Sequence, residues 1–211
     1  IDGPLLMTES TVADNRASGL PGATVIVGGL SANAGSTISQ STISGNSADL
    51  GFGGLLLRGS AGSLPSAIIE STISGNSAEV TAGGYAVGHI SIRNSTIAFN
   101  VAAGIGYGAG LRVGGDPTDI ESSIIALNVS YGGTTEQDVG LGPSGSITGS
   151  HNLIGPSSGV TLPPDTIGGD PRLLPLHDNG GWTKTHALRA GSPAENAGAD
   201  NGDDTDQRGA G

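Results

Sequence analysis

Carboxylates are the best-supplied side chains in this chain that could do chemistry, with 19 Asp and Glu against 8 Lys and Arg. Two carboxylates at close range, one held protonated, can cleave a glycosidic bond. Clustered acids beside Arg or Lys can hold Ca²⁺ and a base for elimination. Three groupings offer themselves. Asp49 and Glu79 each follow a recurring Asn by three residues, which predicts that they stack on adjacent repeats and face outward. The matching positions elsewhere are Ser18, Ala103 and Tyr131, so the pair does not continue and reads as a solvated polar face. Asp116, Asp119 and Glu121 lie near Arg112, but turn chemistry around Asp116-Pro117 accounts for most of that cluster. Asp200, Asp203, Asp204 and Asp206 form an acidic run that resembles a Ca²⁺ loop. It lacks the alternating ligands and closing Glu of an EF-hand, so a flexible acidic tail is the expectation and Ca²⁺ the cofactor it would take.

The four histidines are scattered at 89, 151, 177 and 186, and nothing in their spacing fixes a metal geometry. No nucleophile elbow, phosphate loop or zinc motif is present. No residue is therefore assigned a catalytic or cofactor-binding role. Thr11, Thr42, Thr72 and Thr96 recur in register and read as solvent-facing strand residues. A second Thr column, which ice-binding solenoids carry, is replaced by Ala13, Ser44, Ser74 and Ala98.

What positions these residues is a repeat. Ser41-Thr42-Ile43-Ser44-Gly45-Asn46-Ser47-Ala48 returns unchanged as Ser71 to Ala78. Looser copies surround Asn15, Asn100 and Asn128. Between Asn15, Asn46, Asn76, Asn100 and Asn128 the steps are 31, 30, 24 and 28 residues. That range signals stacked units that bury apolar surface only against one another. An apolar residue also precedes each central Val or Ile by five, as Met7 does Val12 and Ile68 does Ile73. One strand would put such a pair on opposite faces. Both face inward if the chain bends between them, at Glu9, Gln40, Glu70, Asn94 and Ser122. The Asn marks the next corner. A third strand follows, with candidates Thr24–Val27, Gly54–Leu57, Gly84–Val87, Gly110–Val113 and Asp138–Leu141.

The fold class predicted is all-β, a right-handed parallel β-helix of three-strand coils of about 24–31 residues. Irregular coil length argues against the left-handed form, which keeps a strict hexapeptide period. Residues 1–155 form the helix, with Ile147 to Gly155 as a last altered coil; 156–199 form a loop and C-terminal cap; 200–211 form the acidic tail. A cap is needed because an open end exposes unpaired strand edges. Buried Asn at a corner can bond the Asn above and below, making Asn15, Asn46, Asn76, Asn100 and Asn128 a structural ladder.

Composition agrees and narrows function. Gly numbers 39 and aromatics are 3%, which suits strands and tight turns. A net charge of −11 with the single lysine Lys184 argues against nucleic acid and anionic membrane surfaces. No apolar run approaches the ~20 residues a spanning helix needs. There is no cysteine, hence no disulfide or thiolate site. The chain starts at Ile1, which reads as a mature or excised piece.

The Ser-Thr-Ile-Ser-Gly-Asn-Ser-Ala units resemble those of bacterial right-handed β-helix repeat proteins, including polymorphic outer-membrane-protein-like and choice-of-anchor surface proteins. The later part is similar to the segment that follows the helix in that family: Asp170-Pro171-Arg172-Leu173, Asp178-Asn179-Gly180-Gly181, Thr185-His186-Ala187-Leu188, Gly191-Ser192-Pro193-Ala194 and Asp206-Gln207-Arg208-Gly209. Trp182 departs from the family, where Pro is usual, as do Leu174 and Glu195-Asn196. The resemblance covers nearly the whole chain. It implies secretion or surface display, and no reaction. The expected function is a non-enzymatic structural or adhesive module, partnered by itself in fibres or by cell-surface glycans. The alternative is a polysaccharide-binding or polysaccharide-degrading β-helix.

Overall fold

The structure is a computed structural model that describes residues 3–19, 26–60, 64–104, 108–131, 134–200 and 205–209. It is an all-β parallel solenoid of about five turns, with no helix among the described residues. The first sheet stacks Leu6–Thr8, Thr37–Ser39, Ser66–Ile69, Ile90–Arg93, Thr118–Glu121 and Ile147–Ser150. The second stacks Thr11–Ala13, Thr42–Ser44, Thr72–Ser74, Thr96–Ala98, Ile124–Ala126 and Leu153–Ile154. Registers join like to like: Met7, Ile38, Ile68, Ile92 and Ile120 form one column, and Val12, Ile43, Ile73, Ile97, Ile125 and Ile154 the other. Both columns enter one core, which Leu55, Leu57, Leu111, Val113 and Val139 close from the opposite side.

A coil holds four strands, not the three expected. The extra one is a two-residue strand directly after each Asn: Arg16–Ala17, Ser47–Ala48, Ser77–Ala78, Val101–Ala102 and Val129–Ser130. Two residues are too few to show alternation, so periodicity is blind to it. The fourth sheet contains Leu30–Ala32, Leu55–Arg58, Gly84–Val87, Leu111–Gly114 and Val139–Leu141. Its first strand corrects the candidate Thr24–Val27. Thr24 and Val25 lie outside the described residues, and Val27 makes an isolated bridge to Phe52. Gly28 and Gly29 then turn the chain so that Leu30 meets Leu55. The run Thr24-Val25-Ile26-Val27 is the more β-prone, but register with the next coil decides the pairing.

The corner between the first two sheets is a left-handed residue in every coil: Glu9, Gln40, Glu70, Asn94 and Ser122 have φ of 46–49°. Non-glycine residues adopt this conformation at a cost of ~1–2 kcal/mol each. A serine column offsets it. The N–H groups of Ser10, Ser41, Ser71 and Ser95 donate to the hydroxyl of the serine one coil on, at 3.1–3.2 Å. Each hydroxyl donates in turn to the carbonyl two residues back, as Ser71 does to Ile69 at 2.7 Å. Ser123 ends the column by donating its N–H to Asn152 Oδ1.

The segment expected to cap the open end divides in two. Val160 and Leu162 pack against the core, and Ile167 bridges to Leu153, so residues 156–169 cover the last coil. From 170 the chain turns back along the side of the solenoid. There it forms a strap across the second sheet, with antiparallel bridges Leu173–Leu188 and His177–Thr185. Among the described residues no helix is long and apolar enough to cross a membrane.

Candidate functional site

The five repeat asparagines form one column. Asn15 Nδ2 donates to Asn46 Oδ1 at 2.9 Å, Asn46 to Asn76 and Asn76 to Asn100 at 3.0 Å, and Asn100 to Asn128 at 2.8 Å. Each Oδ1 beyond the first also accepts the backbone N–H of the preceding Asn, so one oxygen serves two donors. The second amide hydrogen goes to the carbonyl of Val12, Ile43, Ile73 or Ile97. This satisfies groups that would otherwise be buried without partners. A glycine column makes room for it. A Cβ at Gly29, Gly54, Gly83 or Gly110 would lie 2.5–3.0 Å from the Nδ2 of Asn46, Asn76, Asn100 or Asn128.

The ladder ends on an acid. Asp138 Oδ1 accepts both the N–H and the Nδ2 of Asn128, at 2.8 and 2.7 Å. Its Oδ2 is buried without a hydrogen-bond partner. Burial raises its pKa to about 6, against the pull of the Asn128 bonds and with help from the Glu136 charge. Sequence reasoning placed Asp138 in a strand and missed this role. The available signal was that no further Ser-Thr-Ile copy follows Asn128, so its donors needed a new acceptor.

Asp49 and Glu79 directly follow the paired Ala48 and Ala78, so they stack on adjacent coils as expected. Asp49 pairs with Arg16 at 3.0 Å, both largely exposed, an arrangement that contributes little. Arg112 lies over the Tyr85 ring, 5.0 Å from its centroid, while Asp119 faces Thr148 on a different sheet. Among the described residues no group of three His, Asp or Glu could hold a metal ion. Of the tail acids, Asp203 and Asp204 lie outside the described residues. Asp206 Oδ1 accepts the N–H of Arg208 at 2.7 Å.

The tail expected to be flexible is anchored at Gln207, which is buried. Its Oε1 accepts from Thr72 Oγ1 at 2.6 Å, and its Nε2 donates to Thr42 Oγ1 and Thr183 Oγ1 at 3.0 and 2.9 Å. Thr42 and Thr72, expected to face solvent, are consequently 1% and 2% exposed. Thr42 Oγ1 also donates to Lys184 O, and Thr183 Oγ1 to Gln40 O. Farther along, His186 Nε2 meets Ser74 Oγ at 2.8 Å and Nδ1 meets Leu174 O at 2.6 Å. A carbonyl only accepts, so Nδ1 carries the proton and Nε2 accepts from the serine. Desolvation lowers the His186 pKa and keeps the ring neutral. A hydroxyl bonded to an imidazole is also nucleophile geometry. The adjacent N–H of Gly75, however, is committed to Ala98 O, which removes that donor for an oxyanion. The bond serves to dock the strap.

Strap and sheet leave a cleft of about 550 Å³ between them. Its floor is Thr11, Ala13, Asp14, Thr42, Ser44, Gly45, Ser74 and Gly75, much of it from the two identical octapeptides. Its wall includes Leu176, Asp178, Trp182 and Lys184. The corner column running through the floor reads Asp14, Gly45, Gly75, Phe99 and Leu127, all with φ of 57–66°. Phe99 and Leu127 show that a side chain is compatible with this corner. At Gly75 a Cβ would meet nothing within 4 Å, so this glycine leaves the floor open, whereas a Cβ at Gly45 would collide with Asp14 Oδ1. Comparison of the chain with family models, curated proteins and solved structures returned no match.

Proposed function

We propose that the chain is a non-catalytic structural and adhesive module, displayed outside the cell. The observation that carries this reading is the pair of side-chain ladders running the length of the solenoid, one of asparagine and one of serine. They tie each coil to the next through buried, mutually satisfied bonds. Such a rod resists local opening and holds its lateral surface in a fixed geometry, which is what presentation of a binding face demands. The acidic charge and the docking role of Ser74–His186 favour binding over turnover.

Incubation with neutral and acidic polysaccharides, followed by reducing-end and unsaturated-product assays, tests it. No product is expected; accumulation of either would replace the module with a depolymerase. Assembly into fibres extends the same reading: Leu6–Thr8 and Thr11–Ala13 end their sheets among the described residues, and end strands are the kind that pair with a second copy. Negative-stain electron microscopy of the purified protein should then show filaments, and monodisperse particles would dismiss assembly.

A further inference from the structure

We propose that the cleft between the strap and the second sheet binds a neutral oligosaccharide, with Trp182 as its stacking platform. The proposal rests on the module reading and names its ligand class. Trp182 is the only tryptophan in the chain, and it is 70% exposed. Leaving so large a ring in water forgoes the burial that usually recruits it. Nothing about the strap's own packing demands it there. The neighbouring residues, by contrast, are pinned hard: Thr183 Oγ1 donates to Gln40 O at 3.0 Å, and Lys184 O accepts from Thr42 Oγ1 at 2.7 Å. The ring is thus carried on an immobilised backbone, so little ordering entropy is lost when a ligand stacks on it.

The surface facing the ring is polar and interrupted rather than greasy. Thr11, Ser44, Asp14 and Asp178 supply hydroxyl and carboxylate groups around the floor, and Lys184 adds an ammonium. A flat apolar face opposed by scattered donors and acceptors matches a pyranose, which has C–H groups on its ring faces and hydroxyls at its rim. It matches a peptide helix or an acyl chain poorly, since each needs a continuous apolar groove. Rungs of the floor repeat at the strand spacing of ~4.8 Å, comparable to one sugar ring, and three coils give ~10 Å, room for a short oligosaccharide. Charge decides the class of glycan. Two carboxylates in the cleft and a net charge of −11 on the chain repel uronates and sulfated sugars.

Because Trp182 is the sole tryptophan, intrinsic fluorescence reports on the cleft alone. The protein is titrated with cello-, xylo- and manno-hexaose and with oligogalacturonate. A saturable change with at least one neutral hexaose, and none with oligogalacturonate, is expected. In affinity electrophoresis through the corresponding polysaccharide, Trp182→Ala should weaken retention about tenfold or more. The exposed position predicts an unchanged circular dichroism spectrum. Gly75→Phe, which copies the residue found at Phe99 one coil on, puts a ring into open space on the floor and should block retention as well. Silence from every neutral hexaose, binding of oligogalacturonate alone, or full retention by Trp182→Ala would each overturn the proposal. Products in the same mixtures would overturn the non-catalytic reading instead, and leave the cleft standing.

Discussion

Asp138 is where a single atom changes the character of a repetitive molecule. Every earlier rung of the ladder ends in an amide, which can accept from one coil and donate to the next. At Asp138 donation stops, and a carboxyl oxygen is left buried. Its folded pKa of about 6 lies above the ordinary aspartate value of 3.8, so the folded state favours the protonated form. The stability this confers is complete below pH ~4 and is lost as pH rises through about 6. At 1.36 kcal/mol per unit, the loss is about 3 kcal/mol. Asp138→Asn cannot ionise. Urea titrations at pH 4 and pH 7.5 should show the variant gaining on the parent by about 2–3 kcal/mol across that interval. Parallel curves would mean the carboxyl is solvated.

At the scale of elements, the strap is the part most able to move. Its attachment is a handful of polar contacts centred on Gln207 and His186, against a sheet face whose own core lies on the other side. Gln207→Ala removes the acceptor for Thr72 and the donor to Thr42 and Thr183, leaving the buried Thr72 hydroxyl unpaired while Thr42 and Thr183 keep their bonds to Lys184 O and Gln40 O. Limited proteolysis should cut within 170–200 at a rate raised tenfold or more, on the order of 2 kcal/mol of local opening, while the far-ultraviolet spectrum of the coils holds. The same assay has a pH signature. His186 has a folded pKa lowered from 6.5, so its contribution is present above 6.5 and lost as pH falls through the folded value. Cleavage of the strap should therefore accelerate on acidification from pH 7 to pH 5. This is opposite in sign to the Asp138 effect, and it separates the strap from the solenoid beneath it.

Across the whole molecule, position along the rod decides what a residue is worth. Asn15 and Asn76 hold the same place in the repeat, but Asn15 is exposed on the first coil and Asn76 is fully buried between two others. Asn76→Ala deletes the acceptor for both donors of Asn46 and the donor to Ile43 O and Asn100 Oδ1. A loss of about 3–5 kcal/mol is expected, against about 1 kcal/mol for Asn15→Ala. Equal losses in chemical denaturation would show that the ladder is not a cooperative unit.

The solenoid was legible because its neighbours are copies of itself. A residue in one coil meets the same residue in the next, so recurrence along the chain is a direct record of contact. Met7 to Ile120, Val12 to Ile125 and the bends at Glu9, Gln40, Glu70, Asn94 and Ser122 all follow from counting. The pairing of Leu30–Ala32, the two-residue strands and the fate of Thr42 and Thr72 do not. Strand choice at Leu30 depends on a glycine pair matching Gly53-Gly54 across the stack.

The strap meets the sheet across 112 residues at Ser74–His186 and 165 at Thr42–Gln207, between stretches with no likeness to each other. Nothing repeats there, so only the folded chain could decide the contact. Sequence alone determined that coils stack, where they turn and which side chains line the lumen, because like packs on like. Tertiary structure alone decided that one side of the rod is covered, that Gln207 holds the cover down and that Trp182 overlooks an open cleft. Those depend on where an unlike segment comes to rest.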